Sequence, residues 1–315
     1  MSAWARPSRL FSAPAVLALL LAAGCAISPT PSAAPAAPRI EIASGQGVRL
    51  SSDQAVALMR QADHVLLGEV HDNPVHHLER ANLIAALADR RPTVVFEQFS
   101  RSADVALATP VSGDLDVWMD RAGFDRKGWA WPLHRPLIEA AQAARLRLRG
   151  GNLERDEVRQ IARQGASAAP ADLASRLAAP WPTSAAAALD NGLVEGHCGQ
   201  LPASAVPRMR DAQAARDAAM ADALLRAVAD GALSTVLIAG NGHVRRDHGV
   251  PLWLLRQQPT AKVLSVGFLE VGADGQPPPA AERAVYDLVW ITPRQGRPDP
   301  CAGFLLPPTP LPATK

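Results

Sequence analysis

Short apolar runs alternate with longer amphipathic stretches along most of this chain. Val65-Leu66-Leu67 is an apolar run that stops at Gly68. Asn73-Pro74 then pairs a good N-cap with a residue that fits the first helical position. The helix it opens runs to about Arg90, with Leu83, Ile84 and Leu87 on one face. Thr93-Val94-Val95-Phe96 predicts a second strand. A helix from about Arg135 to Arg145 leads into a third at Leu146 to Leu148. Ser234 to Ile238 predicts a fourth strand, ending at Gly240-Asn241-Gly242, and a helix follows at about 251–257. Two late strands, Lys262 to Val271 and Ala284 to Ile291, close the pattern; the second carries Tyr286. Strands alternating with helices imply right-handed crossovers and an α/β fold, a mainly parallel sheet covered by helices on both faces. Residues 152–232 lack strand signals and read as a helical cap inserted between core segments 40–151 and 233–315.

The N-terminal pattern is different. An apolar run from Ala13 to Ala23 follows a short start carrying Arg6 and Arg9, and it closes with Leu21-Ala22-Ala23-Gly24-Cys25. That order marks a secretory signal, and the run is too short to span a bilayer comfortably. A cysteine straight after Ala-Ala-Gly resembles a bacterial lipoprotein box, although Ala22 stands where leucine is usual. The expectation is a signal over 1–24 and a lipidated Cys25 that ties the chain to a membrane; an ordinary cleaved signal is the alternative. Ala26 follows rather than an acid, which by resemblance to Gram-negative lipoproteins implies the outer membrane, facing the periplasm. Residues 25–39 are rich in Pro and Ala and read as a tether that cannot fold alone.

Loss of residues 1–24 removes two arginines and no acids, leaving a formally neutral chain. Neutrality without a Lys/Arg cluster argues against a nucleic-acid partner. Besides Cys25 the chain has Cys198 and Cys301. In an oxidising compartment such a pair reads as a disulfide; the alternative is two thiols, one a metal ligand beside His197.

The chemistry gathers at three strand ends. The first leads into Gly68-Glu69-Val70-His71, with His76 and His77 beyond; the second into Phe96-Glu97-Gln98; the fourth into Gly240-Asn241-Gly242-His243-Val244-Arg245-Arg246. Ligands of open parallel sheets bind outside the carboxyl ends of the strands, so Glu69, His71, Glu97, Asn241 and His243 should meet there. A carboxylate buried directly after an apolar strand needs a compensating proton, cation or metal. His64, His76 and His77 read as solvated or helix-end residues, and His134 and His197 as local loop ligands. Met209, Gln213, Arg216, Met220 and Leu224 share one helical face, with Asp217 adjacent. Polar residues on that face imply either an internal Arg216–Asp217 pair or a helix presenting Gln213, Arg216 and Asp217 to a pocket.

Taken together, these segments resemble the ChaN family of iron-regulated, haem-binding lipoproteins. The similarity runs in consistent order over about 65–255 and includes Gly196-His197-Cys198-Gly199 and Gln213 through Ala221. The wider group contains the Tiki and TraB proteins and shares two Gly-x-x-His motifs and a glutamate, here Gly68–His71, Gly240–His243 and Glu69 or Glu97. The resemblance implies haem binding and a part in iron acquisition, with an outer-membrane haem receptor as a partner and a homodimer covering the haem. In that reading His71 or His243 holds the iron, with Tyr286, the sole tyrosine, as the alternative ligand. Arg245 and Arg246 would meet the propionates, and Met209, Met220, Trp118, Trp129 or Trp131 would supply apolar walls. The alternative that the resemblance implies is a divalent-metal hydrolase using His71, His243 and one glutamate as ligands and the other glutamate as base.

Overall fold

The computed structural model describes residues 40–109, 111, 113–299 and 301–302. Cys25, the signal and the tether lie outside the described residues.

In chain order the elements are β1 (Glu41–Ser44), α1 (Ser52–Met59), β2 (His64–Leu67), α2 (Pro74–Ala86), β3 (Thr93–Ser100), α3 (Asp104–Leu107), α4 (Leu115–Arg121), α5 (Arg135–Ala143) and β4 (Leu148–Asn152). Then come α6 (Arg155–Gln164), α7 (Ala171–Leu177), α8 (Thr183–Gly196), α9 (Val206–Ala229), β5 (Thr235–Ile238), α10 (Asn241–Val244), α11 (Val250–Gln257), β6 (Val263–Glu270), α12 (Ala280–Arg283) and β7 (Leu288–Thr292). The strands form one sheet in the order β1-β7-β6-β2-β5-β3-β4. All neighbours are parallel except the β1–β7 pair at one edge.

Period-two alternation divides the strands between two cores. Val65, Leu67, Val94, Phe96, Val236 and Ile238 face one way, against α1, α2, α4 and α5. Leu66, Val95, Leu237, Val289 and Ile291 face the other, against α9 and α11. The mainly parallel α/β sheet with helices on both faces is therefore the fold. Helices α6, α7 and α8 pack on α9 rather than on the sheet, with Ile161, Leu173 and Ala215 between them. Within the segment read as a cap, α9 thus serves as a covering layer of the sheet. Its Ala214, Ala218 and Ala221 are small enough to let the helix lie close to the strands.

Several boundaries differ from the pattern. The edge strand β1 escaped notice: it is four residues long and half-exposed, so it carries little periodic signal. The third strand begins where Leu146 to Leu148 was expected to end, because Gly150 and Gly151 are strand residues with no apolar side chain to announce them. A Cβ on Gly150 would come 1.8 Å from the Ser100 carbonyl oxygen, so the close approach of β3 requires glycine. The last strand starts only at Leu288; Ala280–Arg283 is a helical turn, and Tyr286 precedes the strand instead of lying in it. Among the described residues no helix is long and apolar enough to cross a membrane.

Cys198, just after α8, is bonded to Cys301 in the C-terminal segment, 103 residues away. Closing a loop of that length restricts the unfolded chain by about 4–5 kcal/mol in the entropic picture. Cys301→Ser is expected to lower unfolding free energy by about 2–5 kcal/mol. Denaturant unfolding of oxidised wild type beside the variant checks this; equal midpoints would refute it.

Candidate functional site

Three strand ends deliver the chemistry. Gly68 follows β2 and lies against the Asn241 side chain: a Cβ there would stand 2.2 Å from Asn241 Oδ1. Asn241 is not a pocket residue. Its Oδ1 accepts from Phe268 N at 3.0 Å and its Nδ2 donates to Phe268 O at 2.6 Å, fastening the end of β5 to β6.

The first network centres on Glu69, whose side chain is fully buried. Arg80, also without exposed surface, forms an ion pair with Glu69 Oε2. Oε1 accepts from His71 Nδ1 at 2.5 Å and from Gln98 Nε2 at 3.3 Å, and lies 3.4 Å from His134 Nε2. His77 Nε2 donates to the His71 carbonyl at 2.9 Å, and its Nδ1 accepts from Arg80 Nη2 at 2.9 Å. Burial lowers the pKa of Arg80 to about 9, which leaves it cationic at neutral pH.

The second network lies across Gly240. Glu97 accepts from the Gly240 amide at 2.7 Å and from Arg216 Nη2 at 2.5 Å, and His243 Nε2 is 3.3 Å away. His243 Nδ1 meets Asp217 at 2.6 Å. Burial by itself would raise the Glu97 pKa, but His243 and Arg216 hold it well below the usual carboxylate range. Burial opposes the charged form of His243 too; Glu97 and Asp217 prevail and raise it to about 9. Burial pushes Asp217 upward, so Asp217 and His243 share a proton that is retained through neutral pH.

His71 is the most exposed of these groups, with 52 % of its side chain open to solvent. Its pKa is lowered by partial burial, against the pull of Glu97, so the ring is neutral. With Nδ1 given to Glu69, the lone pair sits on Nε2. A Cβ on Gly240 would stand 3.2 Å from His71 Nε2 and 3.7 Å from Glu97 Oε2, so glycine keeps the space between them open. Trp129 meets the His71 ring edge-on at 4.9 Å. The loop carrying His71 is pinned by the C-terminal segment: Arg297 donates to Asp72 at 2.7 Å and to both oxygens of Glu270 at 2.7 Å.

Glu69, His71, Glu97, His243, Gln213, Arg216 and Asp217 therefore share one region. Several expectations need correction. Arg216 pairs with Glu97 and Asp217 with His243, rather than with each other. Both ring nitrogens of His243 face carboxylates, so it has no free lone pair for a ligand. Arg245 binds Asp247 and Arg246 binds Asp287, so neither turns to this cluster. Tyr286 is buried against Gly267 with its hydroxyl 3.4 Å from the Asn241 carbonyl oxygen, which removes it as an iron ligand. Trp118 is core, its Nε1 donating to Thr109 O. His64, His76 and His77 are fully buried, not solvated. His76 accepts from Val70 N and donates to Thr292 Oγ1, while His64 bonds Thr235 Oγ1. His134 bonds Trp129 O locally, as expected, but its other face reaches Glu69. His197 makes only the local bond to Leu193 O. Arg80 was missed, although a signal existed: it lies three, four and seven residues before Leu83, Ile84 and Leu87, on the buried stripe of α2. A groove of about 1310 Å³ opens away from this site, beside the amino ends of β3 and β4 near Arg91 and Arg147.

A family model described as "Haem-binding uptake, Tiki superfamily, ChaN" matches residues 55–254. The chain belongs to the ChaN family. No curated protein matches it in sequence. Among solved structures it is similar to ChaN of Campylobacter jejuni, described as binding haem cofacially. The two are 18 % identical over 80 % of this chain and 96 % of that one, with a TM-score of 0.63. At that identity the likeness establishes the fold. The type III effector HopBA1 is similar more loosely, at 14 % identity over 77 % of this chain and 93 % of that one, TM-score 0.44.

The buried charges of this ChaN-family domain predict its pH limits. Burial lowers His76, His77 and His248 to about 4 and His134 to about 3. For His134 the neighbouring Arg80 charge adds to the effect of burial. These groups are neutral when folded and titrate near 6.5 when unfolded. Their contribution is therefore fully present above about pH 6.5 and is lost as pH falls toward 4, on the order of 1–2 kcal/mol each by pH 5. His243 has the opposite sign: its raised value gives stability present below about 6.5 and lost as pH rises through about 9. Urea unfolding at pH 5, 7 and 10 should show a maximum near neutrality; a profile flat from pH 7 to pH 5 would refute the acid limb.

Proposed function

We propose that this domain binds haem at the exposed face of the His71 loop, with His71 Nε2 as the iron ligand, and takes part in haem uptake. One observation carries the assignment. His71 is half-exposed, its Nδ1 is committed to a buried carboxylate, and its Nε2 borders a space that Gly240 leaves open. A histidine ligand whose second nitrogen donates to a carboxylate is fixed in tautomer and orientation and made more basic. The residues present fit haem on this side: Glu69 orients the ligand, and Trp129 offers an apolar edge beside it. Bound haem would supply an iron centre, and His71 Nε2 would be the residue that holds it. His71 lies at the surface, so a flat ligand held there keeps one face toward solvent. A second copy of the chain would cover that face, which supports a homodimer; the Campylobacter protein is described as binding haem cofacially.

The hydrolytic alternative needs His71 and His243 as joint metal ligands. His243 is bound on both sides by Glu97 and Asp217, which favours the haem reading. The lipoprotein box supports an envelope location, with acylated Cys25 as the membrane anchor and an outer-membrane haem receptor as the source of cargo.

Hemin titration followed by Soret absorbance tests the ligand. Wild type should saturate, His71→Ala should bind about tenfold more weakly or worse, a loss of about 1.4 kcal/mol per decade, and Tyr286→Phe should match wild type. If Tyr286→Phe alone abolishes the spectrum, the ligand assignment falls. If wild type binds no better than an unrelated protein, the haem reading falls with it. For the anchor, Cys25→Ser should move the protein from the membrane to the soluble fraction of the cell envelope; unchanged partitioning would contradict acylation.

A further inference from the structure

Beneath His71, three lone-pair donors converge in a space closed to solvent. Glu69, His77 and His134 each offer a ligand atom, and these atoms lie within 4.8 Å of one another. The outer nitrogen of each imidazole is already tied to a backbone carbonyl: His77 Nε2 donates to His71 O, and His134 Nδ1 to Trp129 O at 3.1 Å. Those bonds fix both tautomers with a lone pair turned inward. Proteins aim metal-binding histidines in the same way. A carboxylate and two inward lone pairs repel one another unless a cation sits among them.

Here the chain supplies that cation itself. Arg80 reaches in from α2, has no exposed surface, and contacts both Glu69 Oε2 and His77 Nδ1. The fit of its fork is incomplete. Nε donates to the His76 carbonyl at 3.3 Å, while Nη1 is buried with no acceptor. A guanidinium brings five N–H donors in a plane. The pocket offers lone pairs converging toward one point, the arrangement that suits a compact ion.

We propose that Arg80 is the built-in cation of a three-ligand pocket, Glu69–His77–His134, which accepts a divalent ion of the zinc or cobalt type once the guanidinium is removed. One carboxylate and two imidazoles are an ordinary donor set for such ions, with a fourth position left for water. In the wild-type chain the charge is covalent, so the carboxylate that orients His71 stays in place whatever the metal supply. That consequence for His71 rests on the haem reading; the pocket itself does not.

The test uses haem-free protein and cobalt(II), whose visible absorption reports coordination. Wild type, Arg80→Ala and the double variant Arg80→Ala/His134→Ala are titrated side by side. Arg80→Ala should take up one equivalent in a site of tetrahedral type, and wild type and the double variant should show no such band. Cobalt uptake by wild type that disappears in His134→Ala would overturn the proposal, because Arg80 would then be displaceable. A folded Arg80→Ala that binds no cobalt would overturn it equally. Should Arg80→Ala be poorly folded without metal, its thermal unfolding is followed with cobalt(II) or methylguanidinium added. Stabilisation by either supports a cation pocket, and stabilisation by neither refutes it. Hemin added afterwards reads the second consequence: Arg80→Ala should bind hemin more weakly than wild type and recover with cobalt(II). Because the cobalt arm contains no haem, failure of hemin binding in wild type leaves the pocket result intact.

Discussion

A carboxylate and a guanidinium, both without exposed surface, meet just beyond the end of β2, and the rest of the site depends on them. Neither Glu69 nor Arg80 is tolerable there alone: removing one partner of a buried pair typically costs about 3–5 kcal/mol, because the other charge is left without water or a counterion. The pair also dictates geometry. Arg80 reaches Glu69 only if α2 is rotated so that His76, His77 and Arg80 point at the sheet. The same rotation places His77 under the His71 carbonyl, which fixes the loop from below. The position of one exposed imidazole is thus set by a charge two layers deeper.

The Glu97 network is built on the same logic from a different helix. Two carboxylates, Glu97 and Asp217, are set against Arg216 and His243, so the buried charge balances locally. Balanced networks of this kind are poor places for a ligand, since most donors and acceptors are already used, Asp217 Oδ2 being the buried exception. Between the two networks lies Gly240, and beside it the half-exposed His71 ring, whose second nitrogen is uncommitted. The chemistry of the region is concentrated at His71 because its neighbours have been neutralised by one another.

Much of this was legible in the sequence and some was not, for identifiable reasons. The alternation of strands and helices placed Glu69, His71, Glu97 and His243 at strand ends, and the parallel sheet brought those ends together. The roles within the group were harder to read. Histidine and arginine on a helix ordinarily signal solvent, so His76, His77 and Arg80 resembled a polar face although they continue the stripe of Leu83, Ile84 and Leu87. His134 is separated from Glu69 by 65 residues, and only the packing of α5 against α2 joins them. Arg245 and Arg246 lie near the site in sequence, yet their carboxylate partners, Asp247 and Asp287, draw them elsewhere. Proximity along the chain locates a backbone; the nearest opposite charge decides where a long side chain goes.

The Arg297 clamp on Asp72 has a consequence for assembly. These residues are 225 positions apart in the sequence. A polypeptide made from its N-terminus exposes the His71 loop early and receives its clamp only after the last strand of the sheet, β7, has been made. Until then the loop has its floor, Arg80 and His77, but lacks the brace on its outer side. A chain cut just before Arg297 would therefore keep a complete sheet and lose the outer brace of the His71 loop. The brace of the His71 loop thus comes after its scaffold in the order of synthesis.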